Sequence, residues 1–404
     1  MKLYNILRFL FLFITNSLAG YSEFFQFNHV SGDKYRILNE VSENIYENDR
    51  LIDQKIFTNR ISVHVVETSA DGSGLIESVY QTIERSTGRS QYYGPLTQTY
   101  SSSFWRNPNG EIFVGSTLVR PMVRSVPLFP SHDLEPGSKW TSKGEEVHDL
   151  GERFGFNEPL KIPINVDYTL RSISDDNGKK VGIIEIEYSF FQELNPVLGS
   201  GILPVYAIKG EFKSNDYMWD FSRGRPLRYS EQFLIEIFLL DGTKIAFIGN
   251  SKGKVVNAVS FNREVVSEAL LSDLSEYGLE DIQVRKDVKG VTIVLDNILF
   301  TADSAYLWPT EKEKIKRIGY ILSNFPDNDV LITGHTAQVG TEESSQILSE
   351  ARALAVFKFL KGIGDRDYNS LLYRGQGSLV PLADNATEQG REKNRRVEIT
   401  ILEN

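Results

Sequence analysis

The chain of 404 residues contains no cysteine. That absence excludes a disulfide framework, a thiolate metal site and a lipid attached through an N-terminal cysteine. Histidine is scarce: His29, His64, His132, His148 and His335 are scattered, and no His-Glu-x-x-His pair stands among them. There is no Gly-x-Ser-x-Gly elbow and no Walker loop, and the many acids form no recognisable pair, so the chain reads as a non-enzyme that needs no cofactor or metal. No apolar run reaches the roughly 20 residues that a membrane-spanning helix needs. Basic excess is missing too: 44 Lys and Arg against 54 Asp and Glu leave a net charge of −10. Without a basic stripe, the counterion release that drives nucleic-acid binding is not available, and anionic lipid surfaces are disfavoured.

What is present is an ordinary globular composition, 41% hydrophobic and 24% charged, long enough for two or three domains. The first 19 residues place Lys2 and Arg8 around the short apolar run from Phe9 to Ile14, then Ser17-Leu18-Ala19. This is the pattern of a secretory signal peptide, with cleavage expected after Ala19. Export without lipidation points to the periplasm of a double-membraned bacterium, with association with the outer membrane left open.

Residues 20–261 read as an antiparallel β-rich region. Ile184, Ile186, Tyr188 and Phe190 alternate with polar residues, as do Ile61, Val63 and Val65, the period-two pattern of a sheet with one dry face. Turn pairs recur at Asp71-Gly72, Asn109-Gly110, Asn177-Gly178 and Asp241-Gly242. The last separates two apolar runs, 232–239 and 244–248, that are expected to pair as a hairpin. Gly155 to Pro163 is a candidate break into two sub-sheets. The aromatic side chains here, Trp105, Trp140 and Trp219 among them, suit sheet packing, or alternatively a cavity for a lipid or partner protein.

Residues 262–289 read as a helix-strand adaptor, with Asn262 as cap and Gly278 past the helix end. From 290 to 404 strands and helices alternate, predicting an α+β domain with a mixed sheet: strands at 291–295, 330–333, 371–374 and 396–402, and helices from Pro309 and from Glu342. On the second helix, Leu348, Ala351, Ala355 and Phe359 fall within about 80° of each other and form the expected core stripe, with Arg352 about 40° from Leu348 at its edge. Ser345 shares a face with Arg352 about 10 Å away along the axis. The Thr336-Ala337 loop feeds the helix N-terminus, whose N–H groups and dipole favour an anion. The guanidinium of Arg352 matches a carboxylate with two parallel hydrogen bonds. The alternative is that Arg352 pairs with an internal acid or caps carbonyls.

Several ordered elements carry a resemblance. They are Phe300 with Asp303-Ser304-Ala305, Gly334-His335-Thr336-Ala337, Leu348-Ser349 with Arg352-Ala353 and Val356, Gly375-Gln376-Gly377, Pro381, and Asn394-Arg395-Arg396-Val397-Glu398-Ile399. Together they resemble the OmpA-like (OmpA/MotB C-terminal) peptidoglycan-binding domain, over about 291–401. In that family an aspartate in the first loop and the helix arginine grip the diamino acid of the cell-wall stem peptide. By this resemblance Arg352 meets a stem-peptide carboxylate, and Thr336, Asn394 and Arg395 line or support the pocket. Two positions depart from the family: Ala337 replaces the ammonium-binding aspartate, and Ser345 stands where an asparagine is usual. His335 is expected to be structural, bonding backbone groups. The resemblance implies a non-enzymatic envelope protein that tethers to peptidoglycan weakly. Its β-rich region would meet an unidentified envelope protein or a lipid. The alternatives are a degenerate domain reused for protein interaction, and a lipid or lipoprotein carrier with a wall tether.

Overall fold

The computed structural model describes residues 22–403 except 87–93, 116, 196, 199–200, 203–204, 259–260, 297–299, 301–303 and 365–369. The expected signal peptide and Asp303 lie outside the described residues.

The N-terminal region opens with five strands, β1 (Lys34–Glu47), β2 (Arg50–Thr68), β3 (Gly74–Ser86), β4 (Leu96–Arg106) and β5 (Ile112–Val114). After them come β6 (Val123–Arg124), β7 (Lys139–His148), a helical turn α1 (Gly151–Phe154), β8 (Leu160–Asp176) and β9 (Lys179–Glu193). A two-residue pair, β10 (Val197–Leu198) and β11 (Gly201–Ile202), precedes β12 (Val205–Asp220), β13 (Arg225–Leu239) and β14 (Lys244–Asn257). Apart from β10 and β11, these strands form one twelve-stranded sheet in the order β5-β4-β3-β2-β1-β14-β13-β12-β9-β8-β7-β6. All its neighbours run antiparallel, as the alternating pattern predicts.

The expected break at Gly155 to Pro163 is not a break. β7 and β8 pair continuously from Lys139 opposite Thr169 to His148 opposite Leu160. Gly155 and Pro159 shape the loop of a wide hairpin that contains α1, and Pro163 lies within β8 opposite Glu145. The turn glycines behave as expected: Asn177 and Gly178 have φ of 56° and 80°, and Gly242 has 87°, the positive values that tight hairpin turns require.

The strand order has a geometric consequence. The chain starts mid-sheet, builds out to the edge strand β5, and then supplies the opposite edge, β6, after a short connection. The sheet must therefore curl until its edges meet. Across that seam the Ile112 amide donates to Ser125 Oγ at 3.1 Å, and the Phe129 amide to the Asn109 carbonyl at 2.8 Å. Residues 22–30 alternate between exposed and covered positions. Phe25 and Phe27 are buried and pack with Phe129 on Trp219, whose ring centre is 4.8 Å from those of Phe27 and Phe129. Trp140 stacks on Tyr168 at 4.8 Å and donates to the Leu128 carbonyl. Both tryptophans thus serve packing.

One row of polar side chains crosses the inner face. Thr82 Oγ1 donates to Asn59 Oδ1 (2.8 Å), Asn59 Nδ2 to Asn39 Oδ1 (3.1 Å), Asn39 Nδ2 to Ser251 Oγ (2.7 Å), and Ser251 Oγ to Glu231 Oε2 (2.9 Å). Burial pushes the Glu231 carboxyl up from an ordinary 4.5 to about 7, against the pull of the Ser251 hydroxyl. A carboxyl raised on folding contributes its stability fully below the unfolded value and loses it as pH rises through the folded one. Glu231→Gln is therefore expected to be more stable than the native chain at pH 8, by up to about 3 kcal/mol, and equal to it at pH 4.5. Urea unfolding at the two pH values measures the difference.

The C-terminal region contains α2 (Arg263–Glu276), β15 (Gln283–Asp287), β16 (Gly290–Asp296), α3 (Pro309–Leu322) and β17 (Val330–Gly334), followed by α4 (Glu342–Ile363), β18 (Leu371–Gly375), α5 (Glu388–Asn394) and β19 (Arg396–Leu402). Its sheet order is β15-β16-β19-β17-β18, with β17 and β18 parallel and the other pairs antiparallel. This is the expected α+β layer. Asn262 caps α2 by accepting the Glu264 and Val265 amides, and Gly278 has φ of 69°. The stretch read as an adaptor is built into this layer. β15 is the sheet's edge strand on β16, and Leu270 and Leu274 of α2 share the core of Ile315, Ile318 and Val356.

The two sheets meet through a buried ion triad. Asp329, just before β17, pairs with Arg36 of β1 and Arg60 of β2, and the three side chains are 2%, 7% and 4% exposed. Glu403 reaches Lys34 at 3.1 Å and Arg263 at 2.6 Å. Leu96 and Ile83 pack against Leu331, Leu372 and Leu402.

Candidate functional site

Helix α4 positions the site, and its buried face differs from the expected one. Ser345, Ser349, Ala353, Val356, Phe357 and Leu360 face inward, whereas Leu348, Ala351, Ala355 and Phe359 are only partly covered. Two glycines explain the rotation. Gly334 of β17 and Gly375 of β18 are register partners. A Cβ on Gly334 would lie 2.1 Å from the Ser349 carbonyl oxygen, and one on Gly375 would lie 2.5 Å from Ser349 Oγ. The helix can approach the strand ends this closely only because small residues meet there, and the bulky residues are turned to its flanks. Ser349 Oγ then donates to the Gln346 carbonyl and accepts the Gly377 amide, each at 2.9 Å.

The helix begins at Thr341, whose hydroxyl accepts the Ser344 amide at 3.1 Å, after Gly340 with φ of 85°. Such a cap satisfies one of the N–H groups that the first turn leaves open. Ser345, expected to share an accessible face with Arg352, is buried at 4% exposure.

Arg352 leaves the helix toward the segment before α3. Its Nε donates to the Ser304 carbonyl at 3.2 Å, and its guanidinium carbon stands 5.0 Å from the centre of the Phe300 ring. Carbonyl capping, the alternative weighed for this residue, thus occurs on the Nε side. It fixes the plane of the guanidinium through one edge and one face. Tyr306 and Trp308, just beyond Ser304, are exposed.

The loop before α4 is held from two sides. The Thr336 amide donates to the Gly377 carbonyl at 2.9 Å, and the Gln338 amide to Asn385 Oδ1 at 3.1 Å. Ala337, where the family aspartate would stand, is 5% exposed. The Thr336 hydroxyl is buried without a hydrogen-bond partner among the described residues.

Asn394 is a positioning residue. It is fully buried; its Oδ1 accepts the Leu382 and Ala383 amides, and its Nδ2 donates to the Ala383 carbonyl and to Asn385 Oδ1. The amide group is therefore spent on the 382–385 loop, which in turn holds Gln338. Asn394→Ala leaves two backbone N–H groups unpaired, a cost of about 1–3 kcal/mol for each buried donor. The expected result is a lower urea midpoint and rapid hydrogen exchange at the Leu382, Ala383 and Gln338 amides, read by exchange mass spectrometry.

Arg395 joins Glu388 at 2.7 Å on α5. His335 departs from the expectation that its ring bonds backbone. Its own amide donates to the Arg396 carbonyl, but the ring faces Glu398 with Nε2 3.7 Å from the carboxylate. Burial holds the His335 pKa down despite Glu398. Burial also opposes ionisation of Glu398, yet His335 and Arg396 together keep its carboxyl well below the usual range.

The structure thus gathers Thr336, Ala337 and Asn394 around one loop, buries Ser345 in the first turns of α4, fixes Arg352 through Ser304 and Phe300, and commits Arg395 to Glu388. The roles of Ser304 and Asn385 were not legible from spacing. Asn385 acts on a loop 47 residues away.

The OmpA family model matches residues 299–395. The peptidoglycan-binding protein ArfA of Mycobacterium tuberculosis is 39% identical over 104 residues, covering 26% of this chain and 32% of that protein. Outer membrane protein A of Bordetella avium is 35% identical over 105 residues, covering 26% of this chain and 53% of that protein. The chain therefore spans between about a third and about half of the length of these relatives. Among solved structures, an outer membrane protein from Borrelia burgdorferi B31 is 39% identical over 30% of this chain and 96% of that one, with a TM-score of 0.25. The peptidoglycan-associated lipoprotein of Burkholderia pseudomallei is 26% identical over 26% of this chain and 87% of that one, with a TM-score of 0.24. The C-terminal part of the chain, over residues 299–395, is an OmpA-family domain.

Proposed function

We propose that the chain is a non-enzymatic protein of the bacterial envelope whose OmpA-like domain holds peptidoglycan by the carboxylate side of the stem-peptide diamino acid alone. The observation that carries this reading is the contrast within one site. Arg352 is kept and oriented by Ser304 and Phe300, while a buried methyl group, Ala337, occupies the aspartate position. Support comes from a relative named for peptidoglycan binding. A missing hydrogen bond to a charged group, about 1.5–3 kcal/mol, corresponds to a loss of roughly ten- to a hundredfold in affinity, so the tether is a weak one. The β-rich region then carries the second contact, with an outer-membrane protein or lipid.

Cosedimentation of the full chain with purified sacculi tests the proposal. Native protein is expected to pellet with sacculi, and Arg352→Ala to need at least tenfold more wall for the same pelleted fraction. Native protein that stays in the supernatant would favour a domain reused for protein contacts. Equal pelleting of the two proteins would remove Arg352 from the site.

A further inference from the structure

Arginines buried in this chain are generally matched with acids. Arg36 and Arg60 share Asp329, Arg124 meets Glu145, Arg225 meets Asp33, and Arg396 meets Glu398. Arg106, Arg120 and Arg374 depart from this pattern, and the first two share one corner of the large sheet. The Nε of each is buried without a hydrogen-bond partner, and among the described residues neither guanidinium forms an ion pair.

Both lie where the curled sheet closes. Arg106 ends β4 on the inner face, 4.7 Å from the ring centre of Phe27 and 5.4 Å from that of Phe104. Arg120 belongs to the connection between the two sheet edges and stands 5.6 Å from the Tyr100 ring centre. Its carbonyl accepts the Ser102 hydroxyl at 2.6 Å, which ties this connection to β4. Tyr80 and Tyr100 are cross-strand partners, and the Tyr80 phenol lies in the field of both guanidinia. His29 and Tyr217 also face Arg106, and Asp149 and Tyr100 face Arg120. Asp149 already accepts the Gly151 amide at 3.0 Å. Aromatic faces offset only part of the cost of burying a cation that has no counter-ion. Tyr100 is 37% exposed, which leaves this corner open to solvent.

We propose that Arg106 and Arg120, together with the Tyr80 hydroxyl, bind a phosphate group at the inner seam of the curled sheet. Two guanidinia balance the charge of a phosphate dianion, and their planar N–H edges match its oxygens. The group can arrive as free phosphate or as the headgroup of a lipid.

The test titrates the full chain calorimetrically with inorganic phosphate and with dihexanoyl phosphatidic acid, following thermal unfolding alongside. One saturable site is expected, with affinity at least tenfold weaker in Arg106→Gln and in Arg120→Gln, and partly restored in Arg106→Lys. Equal affinity for the two ligands assigns free phosphate, and tighter binding of the lipid assigns a headgroup; either supports the site. Absence of saturable binding to both ligands, or binding unchanged in both glutamine variants, overturns it. Among the described residues Arg120 makes no side-chain hydrogen bond, so Arg120→Gln keeps the test decisive if Arg106→Gln does not fold.

Discussion

Asp329→Ala is expected to separate the two halves of the molecule. The carboxylate is the shared counter-ion of Arg36 and Arg60, and all three side chains are nearly excluded from solvent. Removing one partner of a buried ion pair typically costs about 3–5 kcal/mol, because the remaining charge stays buried without compensation. Here two guanidinia would lose the carboxylate they share, so the effect belongs at the upper end. Calorimetry should show the unfolding transition dividing in two. The outer contacts, Lys34 and Arg263 on Glu403 and the leucine cluster around Leu331, are too exposed or too small to replace the triad. A triple variant, Arg36→Met, Arg60→Met and Asp329→Leu, is expected to restore a single transition, since well-packed apolar groups replace buried ion triads at little or no cost. Under the proposed wall binding, the interface would fix the orientation of the large sheet relative to the wall.

The second large effect is a gain. Ala337→Asp is expected to tighten binding to sacculi whose stem peptides carry a free ammonium group by about ten- to a hundredfold, the equivalent of one restored charge-assisted hydrogen bond. The same change should destabilise the unliganded protein. Position 337 is 5% exposed, and a carboxylate placed there without its ligand loses solvation, a cost of about 1–3 kcal/mol or more. Lower stability with higher affinity is the signature of a group that needs its guest. Cosedimentation and urea unfolding on one preparation measure both.

Much of the fold was legible because local chemistry and global pattern agree. The Asp241-Gly242 turn between two apolar runs gave the β13–β14 hairpin, with Phe238 opposite Lys244. Asn262 and Gly278 marked the ends of α2. Gly155 and Pro159 misled, since a wide hairpin loop and a sheet break carry the same residues and differ only in whether β7 and β8 pair beyond it. The α4 stripe was misplaced because hydrophobicity identifies bulky apolar positions. The face that meets β17 and β18 is instead selected by size, through Gly334, Gly375 and Ser349. In the site, the place of Arg352 on α4 and of Ala337 in the loop before it was readable. Asn394 was singled out, but its role as a spent, buried amide depends on contacts with residues 382–385 that no periodicity signals. Asp329 finds its arginines 293 and 269 residues away, a distance at which sequence pattern carries no information about pairing.

The claim that half of the clamp remains is tested most directly with soluble stem peptides altered one group at a time. Calorimetric titration of the full chain would compare a peptide with a free diamino-acid carboxylate and ammonium, one with the carboxylate amidated, and one with the amine acetylated. Acetylation is expected to leave the affinity unchanged within about twofold, and amidation to reduce it by ten- to a hundredfold, the range for losing a charge-assisted hydrogen bond to Arg352. A loss on acetylation as large as the loss on amidation would contradict the account, because it would require an anionic wall that Ala337 does not supply.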